Sequence, residues 1–378
     1  MEFTTEVQPL REALKALPSV AKKTDIYLFP KDGSLSLKTH ADGVEILITL
    51  PCDCRGWEAP GDGCGCHVPK LLERIEHAPS SFLKMQHDGR GKLACSHAGG
   101  SFSLVSSYIE PVNTEAEAGE VEGFLSLPWK SLAGALKICL PFVHDDLTRP
   151  NMAGVLLDCL KVEDAWAVAS DGGTLAKVPL SEATASEEGF KTMLPTPAVA
   201  FLLKYCKGGE VRIERPKSDG APCSRIFCQN AELRYEDSFR LYPNYNSVIP
   251  TEESIQGEEA LAVEDLKEAL LSCAGKSNKK SMKWVTLEFA GDTAKLSYEN
   301  EVAGVKNSTS FPLVAGESSG KIAFLMTAYN LQRIAEALKT CKAGMATFYY
   351  TDPTQVCLIQ PDSCGAVFLL APSRRGYY

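Results

Sequence analysis

Three segments of this chain superimpose without a gap: PLREALKAL from Pro9, SLAGALKIC from Ser131 and DLKEALLSC from Asp265. Leucines coincide at Leu10, Leu132 and Leu266 and again at Leu14, Leu136 and Leu270, with alanines at Ala13, Ala135 and Ala269. The i, i+3, i+4 spacing makes one apolar helical face, with a small residue where another element must come close. A pattern that returns at an interval of this size predicts copies of one domain rather than a single large fold.

A second helix follows each of these: VPKLLERIEHAP from Val68, LPTPAVAFLLKYCKGG from Leu194 and FLMTAYNLQRIAEALKTCKAG from Phe324. The first two carry proline near their start and the last two end on glycine, the ordinary start and stop signals. Between the helices lie short alternating stretches such as SLSLKTH, VEILITL, SFSLVSSY, AWAVAS, WVTLEFA and ATFYY, which read as strands. The order helix, strands, helix, strands predicts an α+β chain of three tandem domains. Their expected bounds are 1–119, 120–250 and 251–378, set by the polar stretches NTEAEAGEVEG and VIPTEESIQGEE. At 378 residues, 44% hydrophobic and 23% charged, the chain is long enough for each copy to bury its own core.

Charge is divided by element. The helix-bearing segments 5–23, 69–84, 128–149, 195–209, 263–283 and 327–344 carry twenty lysines and arginines against ten aspartates and glutamates. The remainder carries nineteen against thirty-eight, so the chain's net −9 conceals basic helices and an acidic rest. Scattered solvated charge predicts no such partition. A helical surface facing a polyanion does.

Other classes are excluded or disfavoured. The opening residues MEFTTEVQPL lack the basic and apolar pattern of a signal peptide, and no apolar run approaches a membrane span, so a cytoplasmic protein without membrane contact is expected. AGKS at Ala274–Ser277 resembles the end of a phosphate-binding loop, but Leu270 stands where its first glycine belongs. HDD at His144–Asp146 falls in a loop after a helix. No enzyme is expected, and no cofactor is required.

The fourteen cysteines read mainly as reduced thiols, several at core positions such as Cys139, Cys159, Cys206, Cys273 and Cys341. The stretch PCDCRGWEAPGDGCGCHVP differs. Residues i and i+2 of a strand share a face, so Cys52, Cys54, Cys64 and Cys66, an insertion over 52–66, are candidates to present four thiolates across a hairpin. Structural zinc, free thiols and a redox disulfide are the three readings, and Cys-x-Cys points to a metal less sharply than Cys-x-x-Cys.

Four further segments carry a resemblance. LTRPNMAGVLLD (Leu147–Asp158), AVASDGGTLA (Ala167–Ala176), YPNYNSVIP (Tyr242–Pro250) and AVFLLAPSR (Ala366–Arg374) resemble, in this order and spacing, motifs of the bacterial DNA polymerase III beta subunit, the sliding clamp family. The resemblance spans essentially the whole chain and is divergent. It implies a homodimeric ring of six domains with helices inside and sheets outside, which encircles double-stranded DNA without reading sequence and confers processivity on a polymerase. A clamp-derived monomer that binds partners without encircling DNA is the alternative.

The resemblance also implies sites. DNA-facing groups would be Lys22, Lys23, Lys70, Arg74, Lys137, Arg149, Lys204, Lys207, Lys279, Lys280, Lys339 and Lys342. A pocket for short apolar peptides of polymerase and clamp loader would be lined by Met152, Ser170, Gly172, Gly173, Thr174, Leu175, Pro243, Ser247, Val248, Leu369, Leu370, Ala371, Pro372, Ser373 and Arg374. Gly173 and Thr174 stand where the family has a basic pair, and the tail RRGYY overruns its usual end. The dimer interface would use Phe102 and Leu104 against a helix end occupied here by Gly275 and Lys276, where the family has an apolar pair.

Overall fold

The computed structural model describes residues 2–31, 33–55, 63–78, 82–109, 120–144, 149–161, 164–217, 222–279, 283–300, 303–314 and 318–373. Six α-helices lie among them: α1 Val7–Ala16, α2 Val68–Glu76, α3 Trp129–Cys139, α4 Thr196–Tyr205, α5 Val263–Ala274 and α6 Ala328–Thr340. These are the six that the periodicity predicts. The repeated leucines and alanines are buried in all three copies, none more than 2% exposed, because the same face of each helix supplies the core. Each helix follows a strand directly. The chain divides into two compact units, Met1–Ala133 with Cys159–Glu163 and Ser181–Ser238, and Gly134–Asp158 with Asp164–Leu180 and Phe239–Tyr378.

Eight strands of the first unit form a closed circuit. In chain order they are β1 Glu2–Glu6, β2 Asp25–Lys31, β3 Ser34–Ala41, β4 Val44–Arg55, β5 Gly63–His67, β6 Phe82–His87, β7 Lys92–His97 and β8 Gly100–Ile109. Neighbours run β1-β6-β7-β8-β5-β2-β3-β4, and β4 pairs back onto β1. Two long strands turn the corners. β8 pairs β7 through residues 100–105 and β5 through 106–109, while β4 pairs β3 along 44–51 and β1 along 52–55. The sheet continues from β4 through Ala231–Glu236, Cys223–Cys228, Glu210–Pro216, Val121–Pro128 and Thr184–Ala185. Helices α1 and α2 pack together, and Arg11 ties them: its Nε and Nη2 donate to the Ile75 carbonyl at 3.1 and 2.7 Å, and Nη2 reaches Ala78 O at 3.1 Å. Those carbonyls lie at the end of α2, where a cation offsets the helix dipole.

In the second unit, six strands run Asp164–Ser170, Thr174–Pro179, Val367–Leu370, Cys357–Pro361, Met345–Tyr350 and Gly257–Ala262. Thr174 faces Leu370 and Leu175 faces Leu369 across one of these pairings. A separate sheet is ordered Val305–Pro312, Thr293–Asn300, Trp284–Gly291 and Ser318–Thr327, so that Val305–Pro312 is an edge strand.

The cysteine hairpin does not form. β4 and β5 are separated by β2 and β3 in the sheet, and each is paired with other strands. Cys52 and Cys54 approach to 3.3 Å, sulfur to sulfur, on β4, while Cys64 and Cys66 lie buried in β5. Alternation alone paired the two motifs; the order of strands separates them. Among the described residues no group of three or more His, Cys, Asp or Glu is placed to hold a metal ion. Burial pushes the Cys52 and Cys64 thiols up to about 12, and Cys66 well above its usual value.

Candidate functional site

A cavity of about 200 Å³ opens in the second unit where three chain segments converge. One wall is the turn between Asp164–Ser170 and Thr174–Pro179. Ser170, Gly172, Gly173, Thr174 and Leu175 line it, and Gly172 has φ +87°, a conformation that favours glycine. A second wall is Pro243 with Val248 from the short helical turn Tyr245–Val248, and a third is Leu369 and Ala371 at the last strand, with Met152 completing the set. These ten belong to the peptide-pocket residues named from the sequence.

Four others of that set are not among the lining residues. Leu370 is fully buried, since its neighbour Leu369 takes the cavity face of the alternating strand. Ser247 donates its hydroxyl to Asn244 O at 2.7 Å, and the Ser373 amide donates to Leu325 O at 2.7 Å. Pro372 is not among the lining residues, and Arg374 lies outside the described ones. Sequence reasoning missed Tyr242, Asn244, Tyr245 and Val356. YPNYNSVIP contains the first three, and its two tyrosines, three residues apart, were the available signal. Val356 sits before a strand that the apolar pattern did not single out.

The floor is a packed cluster of Leu156, Val168, Leu175, Tyr245, Leu358 and Leu369. Tyr245 anchors it by donating to Asp158 Oδ2 at 3.0 Å, and burial beside that carboxylate pushes the Tyr245 phenol above its ordinary value. Val248 is 51% exposed at the mouth. An apolar floor with a few polar backbone groups at the lip suits apolar side chains of a peptide.

The glycine turn is held by one carboxylate. Asp171 Oδ1 accepts from the amides of Gly173 and Thr174 at 3.0 and 2.8 Å and from the Thr174 hydroxyl at 2.9 Å. Its Oδ2 accepts from Arg333 Nη2 of α6 at 2.6 Å. Burial works to raise this carboxyl, but the charge and hydrogen bond of Arg333 and the two amides outweigh it, leaving it below the usual aspartate range.

The basic groups lie on helices or in turns. Lys70 and Arg74 on α2, Lys137 on α3, Lys204 on α4, Lys207 after it and Lys339 on α6 are exposed, as are Lys23, Arg149, Lys279 and Lys342 in turns. Lys280 lies outside the described residues. Lys22 is half-buried, and its ammonium is held below the ordinary lysine value by that burial and by the charges of Lys204 and Lys15. The like charges therefore gather. Lys38, Lys84, Lys306 and Lys321, all on strands, are each paired with a glutamate. Among the described residues no salt bridge joins Lys70, Arg74, Lys137 or Lys204 to a carboxylate. A further cavity of about 350 Å³ is lined by Lys137, Lys267 and Lys276 together with Leu270 and Leu271.

Of the expected dimer residues, Phe102 is half-buried and Leu104 is 7% exposed, both on β8. Gly275 ends α5 with φ +62° and ψ −168°, a conformation that excludes larger side chains. Gln332 clamps that turn, donating to Gly275 O at 2.6 Å and accepting from the Ser277 amide at 2.9 Å. The glycine here is a helix stop, and Lys276 beyond it is exposed.

No family model matches the sequence, and no curated protein does. Solved structures match over the whole chain. A sliding clamp (DNA polymerase III subunit beta) from Bartonella birtlesii, bound to griselimycin, superposes with a TM-score of 0.82 at 18% identity, covering 99% of this chain and 100% of that one. The Helicobacter pylori beta clamp bound to a DNA ligase peptide gives 0.79 at 18% identity with the same coverage. The clamp from Pseudomonas aeruginosa gives 0.81 at 17%, covering 99% of each chain. From end to end, the chain has the fold of the bacterial DNA polymerase III beta clamps.

Proposed function

We propose that this chain is a sliding clamp: a non-catalytic processivity factor that closes with a second copy around duplex DNA and takes partner peptides in the cavity beside Gly172. The observation that carries the reading is that Lys70, Arg74, Lys137 and Lys204, on helices of a clamp fold, join no salt bridge among the described residues, while Lys38, Lys84, Lys306 and Lys321 on strands are each paired with a glutamate. Such a surface holds phosphates through weak, salt-sensitive contacts without gripping a base, so the protein stays mobile on DNA. In this reading three domains per chain, 1–119, 120–250 and 251–378, make a six-domain ring. Retention follows from closure rather than affinity.

Dimerisation has its own support. Among the described residues, 100–105 of β8 pair on one side only, with β7, and Val305–Pro312 ends its sheet. Unpaired strand edges invite pairing with another chain. Peptide binding is supported by the apolar cavity and by the ligase peptide held by the Helicobacter pylori clamp. Gly275 and Lys276 favour a second reading, a module that binds partners without closing, because they remove the apolar pair expected at that helix end.

Two probes test the proposal. A short labelled duplex of mixed sequence should bind weakly, and Lys70→Glu, Arg74→Glu and Lys204→Glu together should weaken that binding further, each lost contact flattening the log–log salt slope by about 0.9. A labelled synthetic hexapeptide carrying leucines and a phenylalanine should bind the wild-type chain, and Val248→Asp should weaken it at least ~10-fold, the scale of one buried apolar anchor. Duplex binding unchanged by the triple reversal would overturn the DNA reading. Peptide binding that is absent, or indifferent to Val248→Asp, would overturn the pocket.

A further inference from the structure

The wall formed by Gly172 and Gly173 poses a physical problem. Two adjacent glycines have more backbone freedom to lose than any other pair, and neither has a side chain with which to pack. The turn's own backbone bond, from the Asp171 amide to Thr174 O, is long at 3.3 Å. Something outside the turn must hold it, or a ligand would have to order it on binding at a cost in affinity.

We infer that Arg333, which does not itself line the cavity, is the positioning residue of the peptide pocket, setting the Asp171–Thr174 turn in its binding conformation from α6. The inference rests on the pocket reading above and deepens it.

The geometry is specific. Nη2 donates to Asp171 Oδ2 at 2.6 Å and to the Thr174 hydroxyl at 2.6 Å, so one group grips both ends of the turn. Nη1 donates to Pro141 O at 2.7 Å, and Nη2 also meets Asn330 Oδ1 at 3.0 Å. The guanidinium carbon lies 5.2 Å from the Phe142 ring centroid and 4.8 Å from that of Tyr329, which restrict the plane of the fork. The Arg333 and Asp171 side chains are 10% and 13% exposed, so water competes little for these bonds. Among the described residues Arg333 Nε is buried without an acceptor, so bonding is concentrated on the two terminal nitrogens.

The hold reaches a second wall. Gly173 O accepts from the Ala371 amide at 3.0 Å, so displacement of the turn would also release the segment after the last strand, which contributes Ala371 to the cavity. A lysine at 333 would keep the charge but lack the planar fork that reaches Asp171, Thr174 and Pro141 together.

The test is a cycle of variants in the full chain, read by anisotropy of the same labelled hexapeptide, with melting temperature as a control for folding. Arg333→Met is expected to weaken binding about tenfold through lost preorganisation, and Arg333→Lys to recover only part of that. Thr174→Val, which removes a single hydroxyl, should weaken it several-fold. If Arg333 acts through Asp171, Arg333→Met adds less than ~2-fold once Asp171→Asn is present, the signature of coupled residues. Independent, multiplying losses would indicate a merely structural role and overturn the inference. So would wild-type affinity in Arg333→Met or Thr174→Val. Should Arg333→Met fail to fold, Arg333→Lys and Thr174→Val decide. A wild-type chain that does not bind the peptide overturns the pocket reading itself. Wild-type binding that the Arg333 and Thr174 variants leave intact overturns only the inference.

Discussion

Asp171 and Arg333 stand 162 residues apart in the chain and meet at 2.6 Å, with the two carboxylate oxygens assigned to different tasks. Oδ1 closes the local turn onto the Gly173 and Thr174 amides, and Oδ2 fixes that turn to a distant helix. A buried ion pair gains little net stability, because desolvation offsets most of the attraction, yet removing one partner strands a buried charge. The pair therefore specifies geometry more than it stabilises.

The pH dependence follows from the carboxyl. Its folded value lies below the usual aspartate range, so its contribution is complete above about pH 4 and is lost as pH falls through the lower folded value. Asp171→Asn should cost about 3 kcal/mol at neutral pH, the scale of a broken buried pair. Denaturant unfolding of both proteins between neutral pH and strong acid should show that gap closing only on the acid side. A gap that stays constant into acid would mean that the Asp171 charge is not its source.

The unpaired edge of β8 predicts association. Val105 on it is 82% exposed. Light scattering should give a mass near twice 41.0 kDa, falling to one chain in Val105→Asp without loss of helix signal. A single-chain mass for the wild type at every concentration would favour the module that does not close.

The leucine register predicts equal sensitivity in separate copies. Leu14→Ala in α1 and Leu270→Ala in α5 remove side chains at most 1% exposed and should each cost about 3 kcal/mol, whereas Lys137→Ala should lie within about 0.5 kcal/mol of wild type. A chevron or equilibrium melt in which Leu270→Ala is neutral would remove that residue from the core.

How much was legible depended on the range of the interaction. The turn glycines, the Val248 segment and the Leu369 strand could be placed in one pocket because short motifs carried the resemblance, and a strand's alternation reads from a few residues. The resemblance named Leu369 and Leu370 together, but consecutive strand residues face opposite ways, and the pairing with Thr174 and Leu175 turns Leu369 to the cavity. Tyr245 was visible as an aromatic residue, but not as the donor to Asp158.

The sequence by itself determined the six helices, the apolar face that three of them share and the separation of basic helices from an acidic remainder. These depend on periodicity and charge within a dozen residues. Only the tertiary structure decided that β2 and β3 part the two cysteine pairs, that Gly275 is a helix stop, and that Arg333 reaches the turn beside the cavity. Each of these follows from strand order or from a backbone angle and contact that the whole fold imposes. Local pattern sets which face of an element is apolar; the packing of distant elements sets which partner that face meets.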